Sequence, residues 1–67
     1  NLIEAERTYR QAIAAFPQSV SAYNNLAVVL VKQNRKDEAV VLLKKVLEIE
    51  PDNAVAARYL NMLEGGR

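Results

Sequence analysis

Pro17 and Pro51 stand 34 residues apart, and sliding the chain over itself by that interval brings further residues into register. Ala5 falls on Ala39, Tyr9 on Leu43, Ala12 on Val46, Tyr23 on Ala57 and Leu26 on Leu60. A fixed period of tens of residues marks a stacked helical repeat, in which each unit buries its apolar face against the next. The period therefore bears on fold and function class together. With 67 residues the chain holds at most one small domain, and a core of that size supplies only about 3–5 kcal/mol. Burial against further units or a partner would complete it.

Read for periodicity, the chain gives four helical segments. From Leu2 to Ala15, the residues Leu2, Ala5, Tyr9, Ala12, Ile13 and Phe16 recur at three- and four-residue steps and form one apolar stripe. Pro17 stops this helix, because proline cannot donate to the ladder and forces its predecessor out of the α region. Ser19 is the natural N-cap of a second helix over 20–33, its hydroxyl able to accept from the first turn's free amides. Asn34 ends that helix, since asparagine tolerates the left-handed conformation found at many helix C-termini. A third helix over 35–49 carries Ala39, Leu42, Leu43, Val46 and Leu47 on one stripe and turns Lys36, Lys44, Lys45 and Glu48 to water. Asp37 and Glu38 at its start, with Lys44 and Lys45 nearer its end, suit the helix dipole. Pro51 terminates it, Asp52 or Asn53 caps a fourth helix over 54–64, and Gly65 and Gly66 release the chain into disorder.

Composition removes several functions. Cysteine and histidine are both absent, which excludes thiolate and imidazole metal ligands and every nucleophile or triad that needs them. Neither catalysis nor a cofactor is expected. Charge is evenly spread: residues 1–19 hold two Arg and two Glu, 20–53 five basic and five acidic groups, and 54–67 two Arg against Glu64. A nucleic-acid surface needs clustered cations to displace counterions from phosphates, so a nucleic-acid partner is not expected. The longest unbroken apolar stretch, Leu26 to Val31, is far too short to span a bilayer. Membrane insertion is not expected either.

Short connections make neighbouring helices antiparallel, so the segments form stacked hairpins in an all-α solenoid. Tyr23-Asn-Asn-Leu26-Ala27-Val-Val-Leu30, then Ala39-Val-Val-Leu-Leu43, then Pro51 resembles the tetratricopeptide repeat, whose pattern is W-x₂-L-G-x₂-Y, A-x₃-F and P. Each match has a packing reason. Ala27 and Ala39 are small where two helices cross closely, while Tyr23, Leu26, Leu30 and Leu43 fill the surrounding space. In that frame residues 20–53 make the complete repeat. Residues 1–19 resemble the second helix of a preceding one, through Ala5-x₃-Tyr9, Ala12 and Pro17, and 54–67 the first helix of a following one or a cap. Asn61 stands at the small position of that last helix and Ala57 at its large aromatic one. The start at Asn1, halfway through a repeat, points to a piece of a longer array.

The resemblance implies a right-handed superhelix whose concave groove, lined by first helices, binds an extended peptide or a partner's helix. Carried over by position, the groove residues are Ser21, Asn24, Asn25, Val28, Val31 and Lys32, then Val55, Arg58, Tyr59 and Met62. Asn24 and Asn25 can each donate and accept towards a peptide backbone. Against that stand plainer readings: Asn25 bonding within the array, Asn24 and Arg58 merely solvated, and the apolar four packing on a neighbouring helix. Cochaperones of this family grip a C-terminal carboxylate with Lys, Asn and Arg from successive first helices. Here Asn25 alone matches, because Val55 and Tyr59 occupy the places of the last helix's Lys and Arg. Glycosyltransferase arms carry an asparagine ladder, which Tyr59 interrupts after Asn25. The leading function is a protein-interaction module. Two alternatives are a structural or self-assembly element stacking through uncapped repeat ends, and a substrate-docking arm of a larger enzyme.

Overall fold

A computed structural model describes residues 1–65, which form four helices: α1 (Leu2–Ala15), α2 (Val20–Lys32), α3 (Lys36–Ile49) and α4 (Ala54–Gly65). Each packs chiefly on its chain neighbours, α2 against α3 most extensively. The short turns make consecutive helices antiparallel, so α2 and α4 run the same way. Among the described residues no helix is long and apolar enough to cross a membrane.

The 34-residue period is written into the backbone of the turns. Phe16 (φ −136°, ψ 80°) closes α1 and Glu50 (φ −131°, ψ 87°) closes α3 in nearly the same conformation. Their amides donate to the carbonyls of Ala12 and Val46, at 2.8 and 2.7 Å. After each proline a side chain caps the next helix: Ser19 Oγ accepts from the Ala22 amide at 3.3 Å and Asn53 Oδ1 from the Ala56 amide at 2.8 Å. Each cap satisfies a first-turn amide that has no partner inside the helix. The cap of α4 is thus Asn53 rather than Asp52.

The α2–α3 turn is built differently. Asn34 takes φ 63°, and around it the Arg35 amide donates to Leu30 O at 2.8 Å and the Asn34 amide to Val31 O at 2.9 Å. This paired closure is the Schellman motif, whose left-handed residue is usually glycine. Asparagine fills it here, as its short polar side chain allows. Because Gln33 and Arg35 take part in this turn, α2 ends at Lys32 and α3 begins at Lys36, one residue inside the expected limits.

Tyr23, Leu26, Ala27 and Leu30 of α2 meet Ala39, Leu43 and Val46 of α3, with Ala56 of α4 joining the same buried cluster. Leu26, Leu30, Leu43 and Val46 are the largest wholly enclosed side chains. The Tyr23 hydroxyl donates to Pro17 O at 2.8 Å, tying the core to the first proline turn.

Several expectations are corrected. Phe16, placed on the core stripe of α1, is 68% exposed, because its residue has already left helical geometry. Leu2 is exposed as well, and α1 buries none of its residues completely, for it has a neighbour on one side only. Ala57, in register with buried Tyr23, lies exposed while adjacent Ala56 is enclosed, since among the described residues α4 packs chiefly on α3. Lys45 is half-buried rather than turned wholly to water. Gly65 belongs to α4 instead of ending it. The expected disorder from Gly66 onward lies outside the described residues.

Candidate functional site

The faces of α2 and α4 left over after core packing are the candidate binding surface. On α2, burial of Leu26, Ala27 and Leu30 leaves Ser21, Asn25, Val28 and Lys32 exposed. On α4, burial of Ala56 leaves Val55, Arg58 and Met62 exposed. Residues three and four apart share one helix face, so each set forms a stripe.

Three of the ten expected residues are only half-buried. Val31 and Tyr59 pack against the core cluster, which spends part of their surface on folding. Asn24 is also half-buried, and its Oδ1 is enclosed with no hydrogen-bond partner. A buried acceptor without a donor is uncommon and costly.

Around α4 the stripe makes a shallow depression of about 190 Å³ lined by Val55, Arg58, Tyr59 and Met62. It offers apolar walls and one guanidinium. Because α4 alone lines it, the α2 residues face the solvent separately. Such a surface can hold apolar side chains and donate hydrogen bonds from Arg58. Among the described residues no three His, Cys, Asp or Glu side chains assemble as a metal site.

A second feature, absent from the sequence reading, is a charge cluster joining α1 to α3. The Arg35 guanidinium donates to both carboxylate oxygens of Glu38 at 2.7 and 2.8 Å, to Glu6 Oε1 at 2.8 Å and to Gln33 Oε1 at 2.8 Å. Arg10 Nε donates to Glu6 Oε2 at 2.9 Å, and its Nη2 lies 3.5 Å from Glu38 Oε1. Donation from Arg35 first and Arg10 second holds the Glu6 carboxyl below the usual carboxylate range. Arg35 likewise lowers Glu38, while Glu38 and then Glu6 raise Arg35. The Glu6/Arg10 and Arg35/Glu38 spacings are legible as pairs on one helix. Their meeting across 29 residues is a product of the hairpin stack.

The family model described as tetratricopeptide repeat matches residues 1–63. Searches of curated proteins and of solved structures gave no match.

Proposed function

The chain belongs to the tetratricopeptide repeat family, and on that premise we propose that it binds a peptide or a partner's helix along the exposed faces of α2 and α4. The family generally serves protein–protein interaction and is typically non-catalytic. In this reading residues 20–53 are the complete repeat, and Ser21, Asn24, Asn25, Val28, Val31, Lys32, Val55, Arg58, Tyr59 and Met62 line the groove. One observation carries it: Val55 and Met62 remain 65% and 56% exposed beside Arg58. Solvent-facing apolar side chains grouped in a depression with a polar group suit a partner's hydrophobic side chain.

Site-specific photocrosslinking tests the assignment. A photoreactive residue at Met62 is expected to capture a partner, and one at Val41, which is 66% exposed on α3, is not. Equal capture from both positions would refute the groove.

A second reading rests on α1 and its C-cap, where Ile3 and Phe16 are 67% and 68% exposed and the helix buries no residue completely. Stacking of copies through this end would cover them. A mass in light scattering that rises with concentration supports stacking, and a strict monomer eliminates it.

A further inference from the structure

Helix α1 is held to the rest of the molecule in two different ways. Its apolar Tyr9 and Ile13 pack on the core cluster, whereas its charged Glu6 and Arg10 meet Arg35 and Glu38 at the start of α3. Among the described residues the extensive helix pairings are α1 with α2, α2 with α3 and α3 with α4, so α1 and α3 are not packed on each other. Between them lies a depression of about 200 Å³ lined by Arg10, buried Leu30, Glu38, Val41 and Leu42. Apolar packing leaves that space open.

Charges bridge it instead. Arg35 to Glu6 and Arg10 to Glu38 cross between the helices at 2.8 and 3.5 Å, while Arg10 to Glu6 and Arg35 to Glu38 close the sides at 2.9 and 2.7 Å. Signs alternate around this ring, so each group is flanked by two of opposite charge. Arg35 is also fixed through its backbone: its amide donates to Leu30 O at 2.8 Å and its carbonyl accepts from the Ala39 amide at 3.3 Å. It stands at the N-cap of α3, where a short polar side chain would accept from a free amide, and it makes no such bond. Asn1, Ser19 and Asn53 all cap their helices. Helix α3 thus gives up a side-chain cap for a guanidinium that reaches across to α1.

We propose that the ring of Glu6, Arg35, Glu38 and Arg10 is an angular brace, which sets how α1 is inclined to the α2–α3 hairpin and so the step by which the stack turns at this junction. Exposed ion pairs add little to stability, but an angle takes less free energy to bias than a fold takes to hold. Helices packed ridge into groove cross at angles that scatter by about 15–20°, and among the described residues α1 packs extensively on α2 alone. The ring narrows that range. It is also particular to this junction: by the 34-residue register, Val40 and Lys44 stand where α1 has Glu6 and Arg10, so α3 lacks the carboxylate needed to repeat it.

Spin labels on cysteines introduced at Ile3 of α1 and Met62 of α4, both exposed, test this in a chain that has no cysteine of its own. Ile3 lies about eight residues, or about 12 Å, from the midpoint of Tyr9 and Ile13. A swing of about 15° about that contact moves it by about 3 Å. Pulsed electron paramagnetic resonance on the parent chain is expected to give one narrow distance distribution. Arg35→Gln, which releases both carboxylates, and Glu6→Lys, which adds a cation beside Arg10 and Arg35, are each expected to shift or widen it by about 3 Å with helical circular dichroism retained. Lys45→Gln, which removes an ion pair confined to α3, is expected to leave it unchanged. Parent-like distributions in both ring variants, or an equal change with Lys45→Gln, would overturn the brace. Loss of helicity in both ring variants would overturn it too, since the ring would then hold the fold rather than an angle.

Discussion

Leu43→Ala removes about three carbon groups from a site with no solvent exposure, and at about 0.8 kcal/mol each the lost transfer free energy is about 2.4 kcal/mol. Leu43 packs in the α2–α3 core with Tyr23, Leu26, Leu30 and Val46, so the vacated space collapses only partly. The cavity raises the cost into the range of about 2.7–5 kcal/mol. A core of this size supplies roughly 3–5 kcal/mol altogether, so the variant should be largely or wholly unfolded at 25 °C. Val41→Ala, two residues away on the same helix but 66% exposed, should change stability by less than about 0.5 kcal/mol. Urea titrations followed by helical circular dichroism compare the two directly. Equal midpoints for both variants would refute the assignment of the α3 core face.

Two further outcomes follow from the turns and the charge cluster. Asn34→Ala, which puts a Cβ without a compensating polar group at φ 63°, should lower stability by about 1 kcal/mol, whereas Asn34→Gly should be tolerated; thermal melts distinguish them. Because Arg35 and Arg10 hold Glu6 and Glu38 below their ordinary value of 4.5, the folded state binds these protons less readily than the unfolded chain. Their contribution is present above pH 4.5 and is lost as pH falls below it, through the lowered values. A double Glu6→Gln, Glu38→Gln variant should therefore show a flatter fall of melting temperature with acid than the parent chain. An unchanged slope would mean that the cluster contributes nothing.

The turns were legible in the sequence because their signals are local. Pro17 and Pro51 lack an amide and restrict their predecessors, Ser19 and Asn53 offer oxygens at cap positions, and Asn34 tolerates a left-handed backbone. Each of these effects acts over a few residues, so the four helices could be bounded to within about one residue. The 34-residue register likewise singled out Tyr23, Leu26, Ala39, Leu43 and Val46, and the repeat pattern Ala27, all enclosed in one cluster. Those positions are buried because α2 and α3 each have a packed neighbour on both sides.

Where neighbours differ, the same register misled. Ala57 shares the register of Tyr23 yet faces solvent, because among the described residues α4 packs chiefly against α3. Phe16 fits an apolar stripe yet is exposed, since a residue that has left helical geometry no longer follows the stripe. The inward turn of Asn24 Oδ1, the packing of Val31 and Tyr59 on the core, and the contact of Arg35 with Glu6 across 29 residues have no local signature. Period and turn chemistry alone determined where helices begin and end and which residues recur at each level. Only the stack decided which recurrent positions are covered, because burial depends on what lies across the helix rather than along it.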